Sequence, residues 1–263
     1  MNLLEAFGVS VTFKSYGYEV QAVKNVDFVL PQGQVVGIVG ESGSGKSTFA
    51  RVLSGIQEPT AGHVTYMGKP IQEGKEIYKG ELRKAVQMVF QDPYSSLNPR
   101  MRIVNAVAEA VQIHQTSNKA EAQQIALDLL KRMGISEIDA FKYPSSLSGG
   151  QRQRASVARA LSVQPKILIA DEPTSAIDQS AQAQLLKLFL GLLNDGLAIV
   201  LVSHDLGVIR YLTKRVYVMK DGVFVESGDT ETVFNDPQED YTKMLLASIP
   251  GELGKAARAK LKR

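Results

Sequence analysis

Apolar and polar residues alternate near the start of the chain: Val9, Val11 and Phe13 fall on one face of a strand, and Val26, Phe28 and Leu30 on one face of another. A period of two marks strands with one face buried and one wet, which predicts an N-terminal antiparallel β-lobe. Four short apolar runs follow, over residues 35–39, 86–90, 167–170 and 197–202. All but the second are nearly continuous and rich in branched side chains, as in strands covered on both faces of a parallel sheet. Between them apolar residues recur at helical spacing, notably over 120–133 and 152–162. Strands alternating with helices predict an α/β fold with crossover connections around a parallel-sheet core. Further on, 216–219 and 223–226 read as strands around Asp221-Gly222, a strong hairpin signal. The stretch from about 92 to 165 reads as mostly helical and is longer than a crossover needs, so an inserted helical lobe is expected there.

The run GESGSGKST follows directly on the 35–39 strand. Its residues, Gly40, Glu41, Ser42, Gly43, Ser44, Gly45, Lys46, Ser47 and Thr48, fit G-x-x-x-x-G-K-[ST], the phosphate-binding loop. Glycines let successive N–H groups point into one concavity. Lys46 adds a compact positive charge for the β- and γ-phosphates, and Ser47 offers a hydroxyl to Mg²⁺. The helix expected over about 47–54 directs its positive end at the same place.

The other apolar runs also end in polar residues: Gln91 after Phe90, Asp171 and Glu172 after Ala170, Ser203 and His204 after Val202. In open parallel sheets ligands bind beyond the carboxyl ends of the strands, so parallel strands would gather these residues on the edge that bears Lys46. Asp171 suits Mg²⁺, a hard cation that prefers oxygen, and Glu172 is placed to take a proton from an attacking water. Gln91 can hydrogen-bond that water or Mg²⁺ without adding charge, and His204 can donate to a γ-phosphate. A second loop, LSGGQ over 147–151, lies just before the 152–162 helix. Ser148 can cap that helix, while Gly149 and Gly150, ahead of Gln151, expose N–H groups to a second anion. The chemistry expected of the set is binding and hydrolysis of a nucleoside triphosphate, ATP first.

Composition narrows the class further. The 263 residues are 44% apolar and 22% charged, ordinary for a globular chain with one large domain or two fused lobes. No apolar run reaches the length of a membrane span, and no secretory leader is expected from the N-terminal residues. Absence of cysteine excludes disulfides, thiolate zinc sites and iron–sulfur clusters. A net charge of +3 is too small to argue for a nucleic acid partner. The end of the chain carries Lys255, Arg258, Lys260, Lys262 and Arg263 without an acid, either a solvated terminus or a contact for anionic headgroups or an acidic surface.

With GESGSGKST, Gln91, LSGGQ, the ILIADE run over 167–172 and His204, the chain closely resembles ATP-binding cassette (ABC) ATPases over about residues 3–228. The resemblance implies a P-loop NTPase fold that uses ATP and Mg²⁺, with the cassette over 1–250 and a basic tail over 251–263. It implies a dimer with a second ABC ATPase subunit, identical or related, in which LSGGQ closes over the nucleotide held by the partner. SAIDQ, over 175–179, looks like the family's D-loop, with Ile177 in place of the more frequent Leu. Tyr16 is the residue expected to stack on adenine, with Tyr18 as the alternative. QDPYSSLNPRMRI over 91–103 resembles importers of the oligopeptide, dipeptide and nickel class, and 240–250 is similar to the start of that class's C-terminal extension. By that likeness the chain is a short member without the cluster-binding cysteines. It would sit peripherally on the cytoplasmic face of the cell membrane, meeting two membrane permease subunits through about 94–102, with a substrate-binding protein acting indirectly. A soluble ABC ATPase outside transport is the alternative implied.

Overall fold

The structure, a computed structural model, describes residues 1–15, 17–71, 81–92, 96–175 and 177–249. Tyr16, Tyr94, Ala176 within 175–179 and the basic tail therefore lie outside the described residues. The elements run β1 (Asn2–Ser15), β2 (Tyr18–Pro31), β3 (Val35–Val39), α1 (Lys46–Leu53), β4 (Ala61–Tyr66), β5 (Lys69–Pro70), α2 (Glu81–Ala85) and β6 (Val86–Val89). Then come α3 (Ile103–His114), α4 (Lys119–Arg132), α5 (Glu137–Ala140), a 3₁₀ turn (Pro144–Ser146), α6 (Gly149–Leu161), β7 (Ile167–Asp171) and α7 (Gln179–Asn194). The last elements are β8 (Ala198–Ser203), α8 (Leu206–Leu212), β9 (Arg215–Lys220), β10 (Val223–Asp229), α9 (Thr230–Asn235) and α10 (Asp240–Ala247). The chain divides into two compact units, Met1–Tyr78 with Ala198–Arg263, and Lys79–Leu197.

In the first unit β1 pairs antiparallel with β2 and with β4, giving the N-terminal β-lobe that the period of two predicts. Its inward positions Leu4, Val9, Val11, Val26, Phe28 and Leu30 are buried, whereas Phe13, beyond the register shifts of β1 between Val9 and Thr12, is exposed. Every residue of β3 and β8 is buried, as continuous apolar runs require. These two strands are parallel, with Val39 opposite Ser203, and β9 runs parallel on the other side of β3. Helix α1 is pinned by rings: Phe49 packs edge-on to Phe28 at 5.6 Å and to Phe224 at 5.3 Å. Tyr217 lies 4.9 Å from both of those outer rings, and its hydroxyl accepts the Val29 N–H at 3.2 Å. Complete burial of one such Phe contributes about 1.5–3 kcal/mol, which fixes the start of α1 relative to the strands.

In the second unit β6 and β7 are parallel, with Val89 opposite Ala170. Among the described residues between 92 and 165 there is no strand. Helices α3, α4 and α6 meet through fully buried small and branched residues, including Val107, Val111, Ala126, Leu130 and Val157. Asn118 caps α4, its side chain accepting the Ala120 and Glu121 N–H groups, and Asp178 caps α7 in the same way from Ala181. Helix α6 begins at Gly149, a turn earlier than its apolar period, because a capping box rather than burial sets its start. Among the described residues no helix is long and apolar enough to cross a membrane.

Candidate functional site

The first glycine-rich loop connects β3 to α1 in the first unit. Its backbone follows a course that side chains would obstruct. Gly45 has φ 106°, and a Cβ there would lie 2.3 Å from the Ala22 carbonyl oxygen. The Gly222 N–H, from the β9–β10 turn, donates to the Ser44 carbonyl at 3.0 Å and supports the loop from outside. Lys46 is only 4% exposed. Its Nζ donates to the Gly40 carbonyl at 2.9 Å and the Glu41 carbonyl at 2.7 Å, with the Ser44 hydroxyl at 3.5 Å. A buried ammonium, the positive end of α1 and a first turn without acids make this loop suited to phosphate.

Gly45→Ala tests that fit. Strain at this φ costs about 1–3 kcal/mol before the carbonyl clash is counted, so Tm should fall by about 2–10 °C and nucleotide affinity with it. A thermal melt paired with a nucleotide titration reads both.

His204 follows Ser203, whose partner in the parallel register is Val39, so His204 leaves β8 on the same sheet edge from which Gly40 leaves β3. Asp205 then caps α8, accepting the Gly207 N–H at 2.9 Å and the Val208 N–H at 3.2 Å, and so fixes the backbone next to that imidazole.

The second unit brings together Gln91 and Glu172. Both leave their strands at the same end, and Gln91 Nε2 donates to Glu172 Oε2 at 3.1 Å. Asp171, the last residue of β7, is buried. Glu172 has φ 45°, a left-handed backbone uncommon outside glycine. Its carbonyl accepts the Ser175 N–H at 3.2 Å and the Ser175 hydroxyl at 3.0 Å, which hold that turn. Among the described residues no group of three or more His, Asp or Glu could hold a metal ion alone. Mg²⁺ in phosphate chemistry takes one or two protein groups together with phosphate oxygens and water, and Ser47, Gln91 and Asp171 offer groups of the right kind.

The LSGGQ loop opens α6 in the same unit. Ser148 Oγ accepts the Gln151 N–H at 3.2 Å while Gln151 Oε1 accepts the Ser148 N–H at 2.9 Å. The other end of the Gln151 amide donates to Asp139 Oδ2 at 3.0 Å. Asp139 also accepts from Lys142 Nζ at 2.6 Å and Ser136 Oγ at 2.8 Å, and these partners, Lys142 first, hold its pKa below the ordinary carboxylate value. Asp139 carries no motif of its own. The one sequence signal for it is Ser136-x-x-Asp139, a helix-start pattern.

A family profile described as ABC transporter matches residues 23–175. The chain is 41% identical to the oligopeptide transport ATP-binding protein OppF of Streptococcus mutans serotype c, over 94% of this chain and 82% of that protein. It is also 41% identical to the dipeptide transport ATP-binding protein DppF of Haemophilus influenzae, over 88% of this chain and 71% of that protein. Among solved structures it is similar to the dimeric, post-hydrolysis state of the ATP-binding cassette MJ0796 bound to ADP and Pi. That likeness has a TM-score of 0.78 at 31% identity and covers 87% of this chain and 99% of the other. The profile spans both glycine-rich loops, Gln91 and Glu172, and the relatives extend the match over nearly the whole chain. The chain therefore belongs to the ABC transporter family, as an ATP-binding subunit that hydrolyses ATP with Mg²⁺.

Proposed function

We propose that this subunit powers the import of peptides, with Lys46, Gln91, Glu172 and His204 as the residues that act on ATP. The single observation that carries the cargo reading is likeness along most of the chain to relatives named for oligopeptide and dipeptide transport. In this reading Gly40–Thr48 cradles the phosphates and Lys46 neutralises them. Ser47, Asp171 and Gln91 would hold Mg²⁺, which supplies a Lewis acid at the phosphates. Glu172, oriented by Gln91, takes the proton of the attacking water, and His204 donates to the γ-phosphate. Two features support these roles: the parallel pairing of β3 with β8 and of β6 with β7, and the position of Gly40, Gln91, Asp171, Glu172 and His204 at the carboxyl ends of those strands.

The second half of each site comes from another cassette. Ser148, Gly149 and Gly150 face its nucleotide, and Gln151 serves by bracing their loop through Ser148 and Asp139. The cassette spans 1–250, with the helical lobe near 92–165 turned to the permeases. Exposure of Asn98, Pro99, Arg100 and Arg102 supports a docking role for that segment. Two permease subunits and a binding protein complete an assembly that keeps this chain at the cytoplasmic face of the membrane.

Uptake assays distinguish the cargoes. In cells lacking this chain, uptake of labelled di- and oligopeptides should fall and be restored by the wild-type subunit but not by Glu172→Gln. Normal peptide uptake alongside lost nickel uptake would overturn the assignment to peptides.

A further inference from the structure

Helix α10 reaches back to the phosphate loop. The Tyr241 hydroxyl accepts the Glu41 N–H at 3.0 Å, a contact between residues 200 positions apart. That N–H belongs to the Gly40–Glu41 peptide group, whose carbonyl accepts from Lys46 Nζ at 2.9 Å. One amide is thus held at both ends, by Lys46 on the oxygen and by Tyr241 on the hydrogen, and hydrogen bonds linked through one amide polarise each other. The group has little room to shift: a Cβ on Gly40 would lie 2.1 Å from the Met219 carbonyl oxygen. Tyr241 is itself held, 9% exposed, with Lys220 Nζ 4.9 Å from its ring centroid.

We infer that Tyr241 is a positioning residue for the nucleotide site, fixing through the Gly40–Glu41 amide the place from which Lys46 meets the phosphates of ATP. Burial foremost, with the nearby carboxylates of Glu41 and Asp221, raises its pKa against the lowering effect of the Glu41 N–H hydrogen bond, so at neutral pH it remains a phenol. The inference rests on the proposed role of Lys46.

Tyr241→Phe keeps the ring and removes only the acceptor. In the full transporter complex it should raise KM for ATP about three- to tenfold, leave kcat at saturating ATP within about twofold, and speed hydrogen exchange at the Glu41 amide. A merely structural role would lower Tm or kcat and leave KM in place, and that result overturns the inference. Lys46→Ala, measured alongside, separates the two readings. If Lys46→Ala weakens ATP binding at least tenfold and Tyr241→Phe leaves KM unchanged, only the role of Tyr241 falls. If Lys46→Ala leaves affinity intact, the site assignment itself falls.

Discussion

Glu172→Gln is expected to slow ATP turnover by about 10²–10⁴-fold, the usual range for loss of a general base, while ATP still binds. The substitution is nearly isosteric. Its amide keeps an oxygen for Gln91 Nε2 to donate to, at the 3.1 Å separation seen with the carboxylate. The Ser175 contacts to the Glu172 carbonyl involve backbone and are untouched. Folding should therefore survive, and nucleotide should accumulate on the protein, because binding proceeds and hydrolysis does not. Single-turnover and steady-state assays with labelled ATP read the effect directly. Turnover within a factor of about ten of wild type would remove Glu172 as the base.

Lys46→Ala should weaken ATP binding about ten- to hundredfold, the loss of one charge-assisted hydrogen bond to phosphate. Loop damage adds to that loss, since Lys46 also ties together the carbonyls of Gly40 and Glu41. Arginine should not restore affinity: a planar guanidinium cannot take the place of a compact ammonium that is 4% exposed. Titration with ATP by calorimetry checks both variants, and unchanged affinity in either contradicts the assignment.

Much of this was legible in the residues because local rules sufficed. The run 35–39 had to be a covered strand, and GESGSGKST had to turn sharply into a helix. Asp221-Gly222 had to be a tight turn, and φ values of 48° and 87° bear that out. What stayed hidden depends on contacts between distant segments. No periodicity says that the Gly222 N–H will support Ser44, or that Tyr241 will accept from Glu41. Asp139 is a further case. Ser136-x-x-Asp139 marks a helix start, but the bond to Gln151 exists only because α5 lies beside the start of α6. The backbone of Glu172 was equally illegible, since a left-handed glutamate goes against propensity and is imposed by its surroundings.

We assign Lys46 and His204 to the phosphates of ATP, and Gln91 and Glu172 to the attacking water. A crystal structure of the Glu172→Gln subunit with ATP and Mg²⁺ tests this assignment most directly. It should show Lys46 and His204 on the phosphates, Gln91 and the Glu172→Gln side chain beside the γ-phosphate, and Ser148 of a second copy closing the other side. A triphosphate bound by Lys46 with Gln91 and residue 172 well beyond hydrogen-bonding reach would contradict the account.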